Sequence, residues 1–173
     1  MRTRANRRTS TRQKRAAGNA GDAASFANRR VHAVKASTVL TFRHRLTWAD
    51  VDYARVAYYL RYFVWVDDAF HGYLFEHGFH IKEFMEQGYG LPYLSSSCRY
   101  FLALTLEDEV EIQLTLTNLD EKGFTLRYRI VKADNAAVAA EGEIVRRCIQ
   151  REPPRSVAMP QALRESLRAI AES

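Results

Sequence analysis

Residues 59–78 read YLRYFVWVDDAFHGYLFEHG, and this stretch decides the fold prediction. Its apolar side chains recur at steps of three and four residues, which is typical of one face of an amphipathic helix. That face comprises Tyr59, Tyr62, Phe63, Val66, Phe70, Tyr73 and Leu74. Gly78 ends the pattern. The stretch therefore predicts one long helix, and its broad aromatic face suits a helix enclosed by a sheet.

Alternating apolar and polar residues on both sides of this helix predict β-strands. One run, residues 40–48, precedes the helix, and four runs follow it at residues 94–104, 110–116, 124–130 and 138–144. Turn-forming residues separate these runs, as expected for hairpins. Pro160 introduces a short final helix. The order predicts an α+β fold in which an antiparallel sheet of about five strands wraps around the one long helix.

The first 37 residues differ in composition from the rest of the chain. They contain ten Arg or Lys and one Asp, a net charge of +9, whereas the whole chain carries +6, so residues 38–173 carry −3. The segment has too few apolar side chains to offset the entropy lost on ordering. We predict a disordered basic tail over residues 1–37 and one folded domain over residues 38–173. Because that domain is mildly acidic, its charge argues against nucleic acid as a partner.

The role of the tail stays open at this stage. It lacks the apolar segment of a secretory signal, but its Arg-rich and almost acid-free composition resembles an organelle transit peptide. It would equally adhere to nucleic acid or to an anionic membrane, and an unselected extension is a further alternative. We expect a cytoplasmic location, with organelle import through the tail as the alternative.

Several classes of site are excluded by the sequence. No apolar run approaches the roughly 18 to 20 residues of a membrane span, so we expect a soluble protein. Cys98 and Cys148 are far apart, which predicts reduced, buried thiols. His71, His77 and His80 do not share a helical face, so neither a metal nor a cofactor is expected. A Ser nucleophile elbow, a Walker loop and a dinucleotide-binding glycine motif are all absent.

The acidic loop before the helix is the candidate that remains. Residues 48–52 read Trp-Ala-Asp-Val-Asp. Judged from the residues alone, Asp50 or Asp52 is more easily explained as a turn or helix-capping residue than as a catalyst.

A family resemblance changes that balance. Residues 50–67, DVDYARVAYYLRYFVWVD, resemble without a gap the signature D-x-D-x-A-G-I-V-F-Y-x-x-Y-x-x-W-x-D of the 4-hydroxybenzoyl-CoA thioesterase family. The likeness continues through residues 106–110 and 157–160. It implies a hotdog fold and hydrolysis of an acyl-CoA thioester to free acid and CoA. It also implies a homodimer or homotetramer whose protomers pair sheet to sheet, with active sites at the dimer interface.

The resemblance implies a role for each matching residue. Asp52 matches the catalytic Asp, which attacks the thioester carbonyl or activates a water. Tyr59 matches the position whose backbone N–H polarises that carbonyl, and a helix N-terminus is suited to stabilise an oxyanion. Asp67 matches the position that senses a ring 4-hydroxyl, although a solvated helix acid is an equal alternative. Lys122 corresponds to a basic loop that meets the phosphates of CoA.

Three more residues are candidates for substrate binding. Tyr58 and Tyr62 could line an aryl pocket, although aromatic residues at such spacings are more often part of the core. Arg55 replaces the family's glycine, a residue that usually supplies a positive φ or room beside the substrate. Its guanidinium could reach a substrate carboxylate or a CoA phosphate, with a solvated surface arginine as an equal alternative.

Other functions are also considered. A hydratase of this fold would require a His a few residues after Asp52, and there is none between Asp52 and His71. An acyl carrier protein could replace CoA as the carrier, although an acidic domain would attract it poorly. A non-catalytic acyl-CoA or nucleic-acid binding protein is the remaining alternative. The acyl group, whether aryl as in 4-hydroxybenzoyl-CoA or short to medium, is not specified by the sequence.

Overall fold

The structure of this protein is a computed structural model that describes residues 39–172. The predicted tail, residues 1–37, lies outside the described residues. In chain order the elements are β1 (Leu40–Arg45), α1 (Arg61–Glu76), α2 (Ile81–Glu86), β2 (Tyr89–Gly90), β3 (Tyr93–Tyr100), β4 (Glu109–Leu119), β5 (Gly123–Lys132), β6 (Val138–Arg147), β7 (Ile149–Gln150), β8 (Arg155–Ser156) and α3 (Gln161–Glu172).

The main sheet has five antiparallel strands in the order β1-β4-β5-β6-β3. Each of the five overlaps one of the predicted strand runs. The short strands β2, β7 and β8 form a second small sheet, and neither they nor α2 were predicted. The prediction of an α+β fold with one long helix, about five antiparallel strands and a short C-terminal helix is confirmed.

Helix α1 packs on the inner face of the main sheet through aromatic side chains. Phe63 lies 6.5 Å from Tyr128 of β5 between ring centroids, and Phe70 lies 5.3 Å from Phe124 of the same strand. Phe70, Phe124 and Tyr128 are almost completely buried. Burying each large apolar side chain contributes about 1.5 to 3 kcal/mol. The aromatic face read from the sequence thus supplies the central contact of the core.

The C-terminal helix α3 packs its apolar face into the hydrophobic core. Leu163, Leu167 and Ile170, the residues predicted to form its apolar face, are at most 1% exposed. No helix within residues 39–172 is long and apolar enough to span a membrane.

The predicted C-terminal end of the first strand was wrong. Strand β1 stops at Arg45, and Trp48, the last residue of the predicted run, is 82% exposed. The reason is local: the Asp50 carboxylate accepts hydrogen bonds from the N–H and the hydroxyl of Thr47, both at 2.8 Å, and closes a turn there. Trp48 therefore lies at the tip of a turn.

The long helix and strand β3 are also shorter than predicted. Helix α1 begins at Arg61, so Tyr59 precedes it and is 55% exposed. Strand β3 ends at Tyr100 because the Leu104 carbonyl accepts a hydrogen bond from the Ala57 N–H, which pairs this segment with the loop before α1. Tertiary contacts of that loop set both ends.

Candidate active site

Asp50 joins the loop before α1 to the helix itself. Its Oδ1 accepts hydrogen bonds from Arg61 at 2.9 Å and from the Trp65 indole N–H at 2.8 Å. Its Oδ2 accepts the two hydrogen bonds from Thr47 and lies 3.3 Å from His44 Nε2. With its side chain only 1% exposed, Asp50 is a fully engaged structural carboxylate, in agreement with the turn or capping role derived from the residues alone.

The same contacts control the ionisation of Asp50. Burial by itself would raise the pKa of this carboxyl, but the hydrogen bonds from Thr47, Trp65 and Arg61 outweigh burial and hold the pKa well below its usual range. Asp50 is therefore a carboxylate at neutral pH and has no oxygen left for substrate.

Asp52, two residues further on, has a different environment. Its Oδ1 accepts one hydrogen bond, at 2.8 Å, from the N–H of Ala54 within its own turn. That turn is closed because the Asp52 carbonyl accepts from the Arg55 N–H and the Asp52 N–H donates to the Val56 carbonyl, both at 3.0 Å. Asp52 is half-buried, and among residues 39–172 no other group donates to its carboxylate. Of the two Asp residues, Asp52 is the one that remains available for chemistry.

Arg55 occupies the strained position of this turn. Its φ is +64°, in the left-handed region that favours glycine. A glycine at this position was expected to supply either a positive φ or room beside the substrate, and the structure shows the positive φ. The Arg55 side chain is exposed.

The backbone at Tyr59 presents an unused donor beside this loop. The Tyr58 N–H donates to the Asp50 carbonyl and the Arg61 N–H donates to the Tyr58 carbonyl, both at 2.8 Å. Among the described residues no oxygen accepts the Tyr59 N–H, whereas the Tyr59 carbonyl accepts the Tyr100 hydroxyl at 2.8 Å. The chain thus enters α1 with a free N–H at the positive end of the helix.

Tyr58 and Tyr62 lie in contrasting positions. Tyr58 is 39% exposed, and its ring lies 4.6 Å from the ring of Tyr59. Tyr62 is 3% exposed and packs edge-on against Tyr100 at 5.0 Å. Burial, and then the nearby Cys98, raise the pKa of Tyr62 to about 12. Tyr58 is accessible beside the loop, and Tyr62 belongs to the packed interior.

Asp67 lies on the side of α1 that faces β3 and β6. Its Oδ1 accepts hydrogen bonds from the hydroxyl of Tyr93 and from the guanidinium of Arg146. The Asp67 side chain is 33% exposed, while that of Arg146 is 7% exposed. It is a half-buried ion-pair residue, which differs from the solvated acid considered as an alternative. Its contact with a ring hydroxyl stays a prediction.

Lys122 lies in the turn between β4 and β5. Its N–H donates to Asp120 Oδ1 at 2.7 Å, and its carbonyl accepts the Cys148 N–H at 2.7 Å. The side chain is half-buried, and its contact with CoA phosphates stays a prediction.

The strand register separates these residues into two groups. Tyr59 and the Asp52 loop lie at the Tyr100 end of β3, whereas Asp67 lies at the Tyr93 end. Lys122 is also at the Tyr93 end, because Tyr93 pairs with Arg146, which pairs with Phe124 in β5. An eight-residue strand is about 24 Å long. One chain therefore brings Asp52, Tyr58 and Tyr59 together and keeps Asp67 and Lys122 at the other end of the sheet.

Arg146 and Tyr93 were not identified as site residues from the sequence. They are 79 and 26 residues away from Asp67 along the chain, and neither is part of the family signature. The sequence offered only one indication, which is that the basic residue Arg146 closely follows the predicted strand run 138–144.

Within residues 39–172 no three His, Cys, Asp or Glu side chains are grouped to hold a metal ion.

Known proteins resemble this chain in sequence and in fold. The 1,4-dihydroxy-2-naphthoyl-CoA hydrolase of Microcystis aeruginosa is 28% identical over 120 residues, which is 69% of this chain and 86% of that protein. The structure of a 1,4-dihydroxy-2-naphthoyl-CoA thioesterase from Synechocystis aligns with a TM-score of 0.72 and 21% identity over 76% of this chain and 96% of that one. A gentisyl-coenzyme A thioesterase aligns with a TM-score of 0.65 and 27% identity over 72% and 98%.

These similarities confirm the predicted hotdog fold and the predicted enzyme class, because the named relatives are thioester hydrolases. A family model described as the thioesterase-like superfamily matches residues 46–167, which is more than half of the chain. This chain therefore belongs to the thioesterase-like superfamily.

Proposed function

We propose that this protein hydrolyses an aryl-CoA thioester to the free aromatic acid and CoA, with Asp52 as the reacting carboxylate. The observation that carries the proposal is the contrast between the two Asp residues of the loop. Asp50 is saturated by Thr47, Arg61 and Trp65, whereas Asp52 receives one hydrogen bond from its own turn. The local fold thus engages the Asp50 carboxylate in hydrogen bonds and leaves the Asp52 carboxylate available to a substrate.

The reaction at Asp52 has two routes with the same products. In the first, an oxygen of the carboxylate attacks the thioester carbonyl, the C–S bond breaks, CoA leaves as a thiolate, and water hydrolyses the resulting anhydride. In the second, the carboxylate takes a proton from a water that attacks the carbonyl directly. Both routes place negative charge on the carbonyl oxygen.

The free N–H of Tyr59 is suited to stabilise that charge. It lies just before α1, where the unpaired backbone N–H groups and the helix dipole present partial positive charge. One well-placed donor of this kind lowers a barrier by about 3 to 4 kcal/mol. Tyr58, exposed beside Tyr59, supplies an aromatic wall for the acyl group.

The complete site requires a second copy of the chain. Strand β3 is an edge strand of the main sheet. Apolar side chains in this strand and just after it are 42 to 50% exposed, namely Leu94, Tyr100, Phe101 and Leu102. An uncovered edge with apolar side chains is a template for pairing with another strand. Antiparallel pairing of β3 with its own copy places the Tyr93 end of one chain beside the Tyr100 end of the other. Asp52 of one chain then meets Asp67 and Lys122 of its partner.

The acyl group we propose is a hydroxylated aromatic ring. The names of the relatives describe such groups, 1,4-dihydroxy-2-naphthoyl and gentisyl. The residues 50–67 resemble the 4-hydroxybenzoyl-CoA thioesterase signature, in which the position of Asp67 senses a ring hydroxyl. The chain that supplies Asp67 to this site also supplies Lys122, which contacts the CoA phosphates.

The test is thiol release from benzoyl-, 4-hydroxybenzoyl-, 2,5-dihydroxybenzoyl- and 1,4-dihydroxy-2-naphthoyl-CoA, with hexanoyl-CoA as an aliphatic comparison. We expect the native chain to hydrolyse the aryl thioesters, Asp52→Asn to lose at least about a thousandfold in kcat, and Asp68→Asn, an exposed helix residue, to match the native chain. Equal rates for the native chain and Asp52→Asn would refute the role of Asp52. An absence of hydrolysis by the native chain would refute the function.

A further inference from the structure

We propose that Arg146 and Tyr93 are positioning residues for substrate selection: they hold the Asp67 carboxylate by Oδ1 and leave Oδ2 to accept a hydrogen bond from a ring hydroxyl. This inference rests on the thioesterase function proposed above. Both the Arg146 guanidinium and the Tyr93 hydroxyl donate to Oδ1 of Asp67. Among residues 39–172 no group donates to Oδ2, and the Asp67 side chain is one-third exposed.

The guanidinium of Arg146 is itself fixed in orientation. Its Nη1 donates to the Leu91 carbonyl at 2.7 Å, and its central carbon lies 4.4 Å from the centre of the Tyr93 ring and 5.7 Å from that of Phe70. Arg146 is 6% exposed. Because both terminal nitrogens donate hydrogen bonds and two aromatic rings pack against the group, the direction of the N–H that reaches Asp67 is set.

Tyr93 and Arg146 are also tied to each other. They are directly paired across β3 and β6, so both side chains start from the main sheet. Burial, and then the hydrogen bond to Asp67, raise the pKa of Tyr93, so its hydroxyl stays protonated and remains a donor. Two donors on fixed strands therefore hold one oxygen of Asp67 and determine where the other oxygen points.

This arrangement has a consequence for the ligand. A carboxylate accepts hydrogen bonds and cannot donate them, so the free Oδ2 is matched by a group with an O–H or N–H. A negatively charged ring substituent would be repelled by the same oxygen. The cluster thus favours an aromatic acyl group with a neutral hydroxyl over the unsubstituted ring, and the hydrogen bond to a charged acceptor corresponds to about a tenfold to hundredfold preference.

The test compares kcat/KM for 4-hydroxybenzoyl-CoA and 2,5-dihydroxybenzoyl-CoA with that for benzoyl-CoA, in the intact protein. The quantity measured is the ratio of the better hydroxylated thioester to the unsubstituted one. We expect the native ratio to be about ten or more, the ratio of Asp67→Asn to fall towards one, and the ratios of Tyr93→Phe and Arg146→Lys to fall several-fold. Arg43→Lys, at an exposed ion pair with Glu111, should keep the native ratio.

The ratio separates positioning from a general structural effect, because a loosened fold lowers kcat/KM for all thioesters together. A native chain that hydrolyses none of them refutes the proposed function. A native ratio of one refutes the hydroxyl subsite and leaves the function standing. A native ratio retained in both Tyr93→Phe and Arg146→Lys overturns the positioning role. If Arg146→Lys does not fold, Tyr93→Phe, which removes a single oxygen, decides the question.

Discussion

The Asp50 carboxylate accepts a hydrogen bond at 2.8 Å from the indole N–H of Trp65, fifteen residues further along the chain and in the second turn of α1. The same oxygen accepts from Arg61 in the first turn. This contact fixes the loop that carries Asp52 against the helix whose beginning carries the free Tyr59 N–H. We therefore predict that the chemistry proposed at Asp52 depends on a neighbouring carboxylate that we do not expect to touch the substrate.

We predict that Asp50→Asn destabilises the protein by about 2 to 4 kcal/mol, because the variant keeps a buried polar group but loses the charge that its donors require. The measurement is urea unfolding at pH 7. Asp68→Asn, on the exposed face of α1, serves as the control and should change the free energy of unfolding by less than about 0.5 kcal/mol. A native-like unfolding curve for Asp50→Asn would contradict the structural role.

The contribution of Asp50 should also depend on pH in one direction. Its folded-state pKa is lowered by the hydrogen bonds that outweigh burial, so the unfolded state binds the proton more tightly. The stabilisation is complete above the unfolded pKa, about 3.9, and is lost as the pH falls from there towards the folded pKa. We expect the stability difference between the native chain and Asp50→Asn to be constant from pH 5 to 7 and to shrink at pH 3. A difference that grows on acidification would contradict this sign.

Two substitutions of Arg55 separate the effect of backbone strain on stability from the effect of the side-chain charge on substrate binding. We predict that Arg55→Gly stabilises the protein by about 0.5 to 1 kcal/mol, because glycine adopts the positive φ without steric cost but loses more entropy on folding. Arg55→Ala retains the strain and should not be stabilised. Both variants remove the guanidinium, so a raised KM for CoA thioesters in both would assign Arg55 to substrate binding, and an unchanged KM would assign it to the surface.

The exposed edge of β3 predicts a dimer that a single charge disrupts. We expect Leu94→Lys to convert the dimer to a monomer, because the new ammonium group would have to be buried in the strand pairing. Light scattering after size-exclusion chromatography gives the mass, and thiol release gives the activity. Both should fall together if the site is shared between two chains. Val39→Lys, at the opposite edge beside β1 and 54% exposed, is the control and should leave both unchanged.

The helix and the strands were predictable because their signals are local. The three- and four-residue spacing in 59–78 and the alternation in the strand runs predict which side chains each element buries, and the structure buries most of them in α1, β4 and β5. The run in β3 is the exception, because its apolar side chains are exposed at the edge of the sheet. The ends were predicted less well. Trp48 fits the alternation of β1, yet it is exposed because Asp50 closes a turn at Thr47. Contacts of this kind override the local strand preference, and the periodic spacing of apolar residues in the sequence does not reveal them.

The sequence by itself determined the fold class, and its resemblance to a family signature made Asp52 the candidate, because both follow from patterns that are contiguous in the chain. Which of the two Asp residues is engaged was decided by the tertiary structure, since Asp50 accepts hydrogen bonds from Thr47 in its own loop and from Arg61 and Trp65 in helix α1. The tertiary structure also decided the surroundings of Asp67, whose partners Tyr93 and Arg146 meet it because β3 and β6 pair in the sheet. Side chains so distant along the chain become neighbours through strand register, which no local pattern encodes.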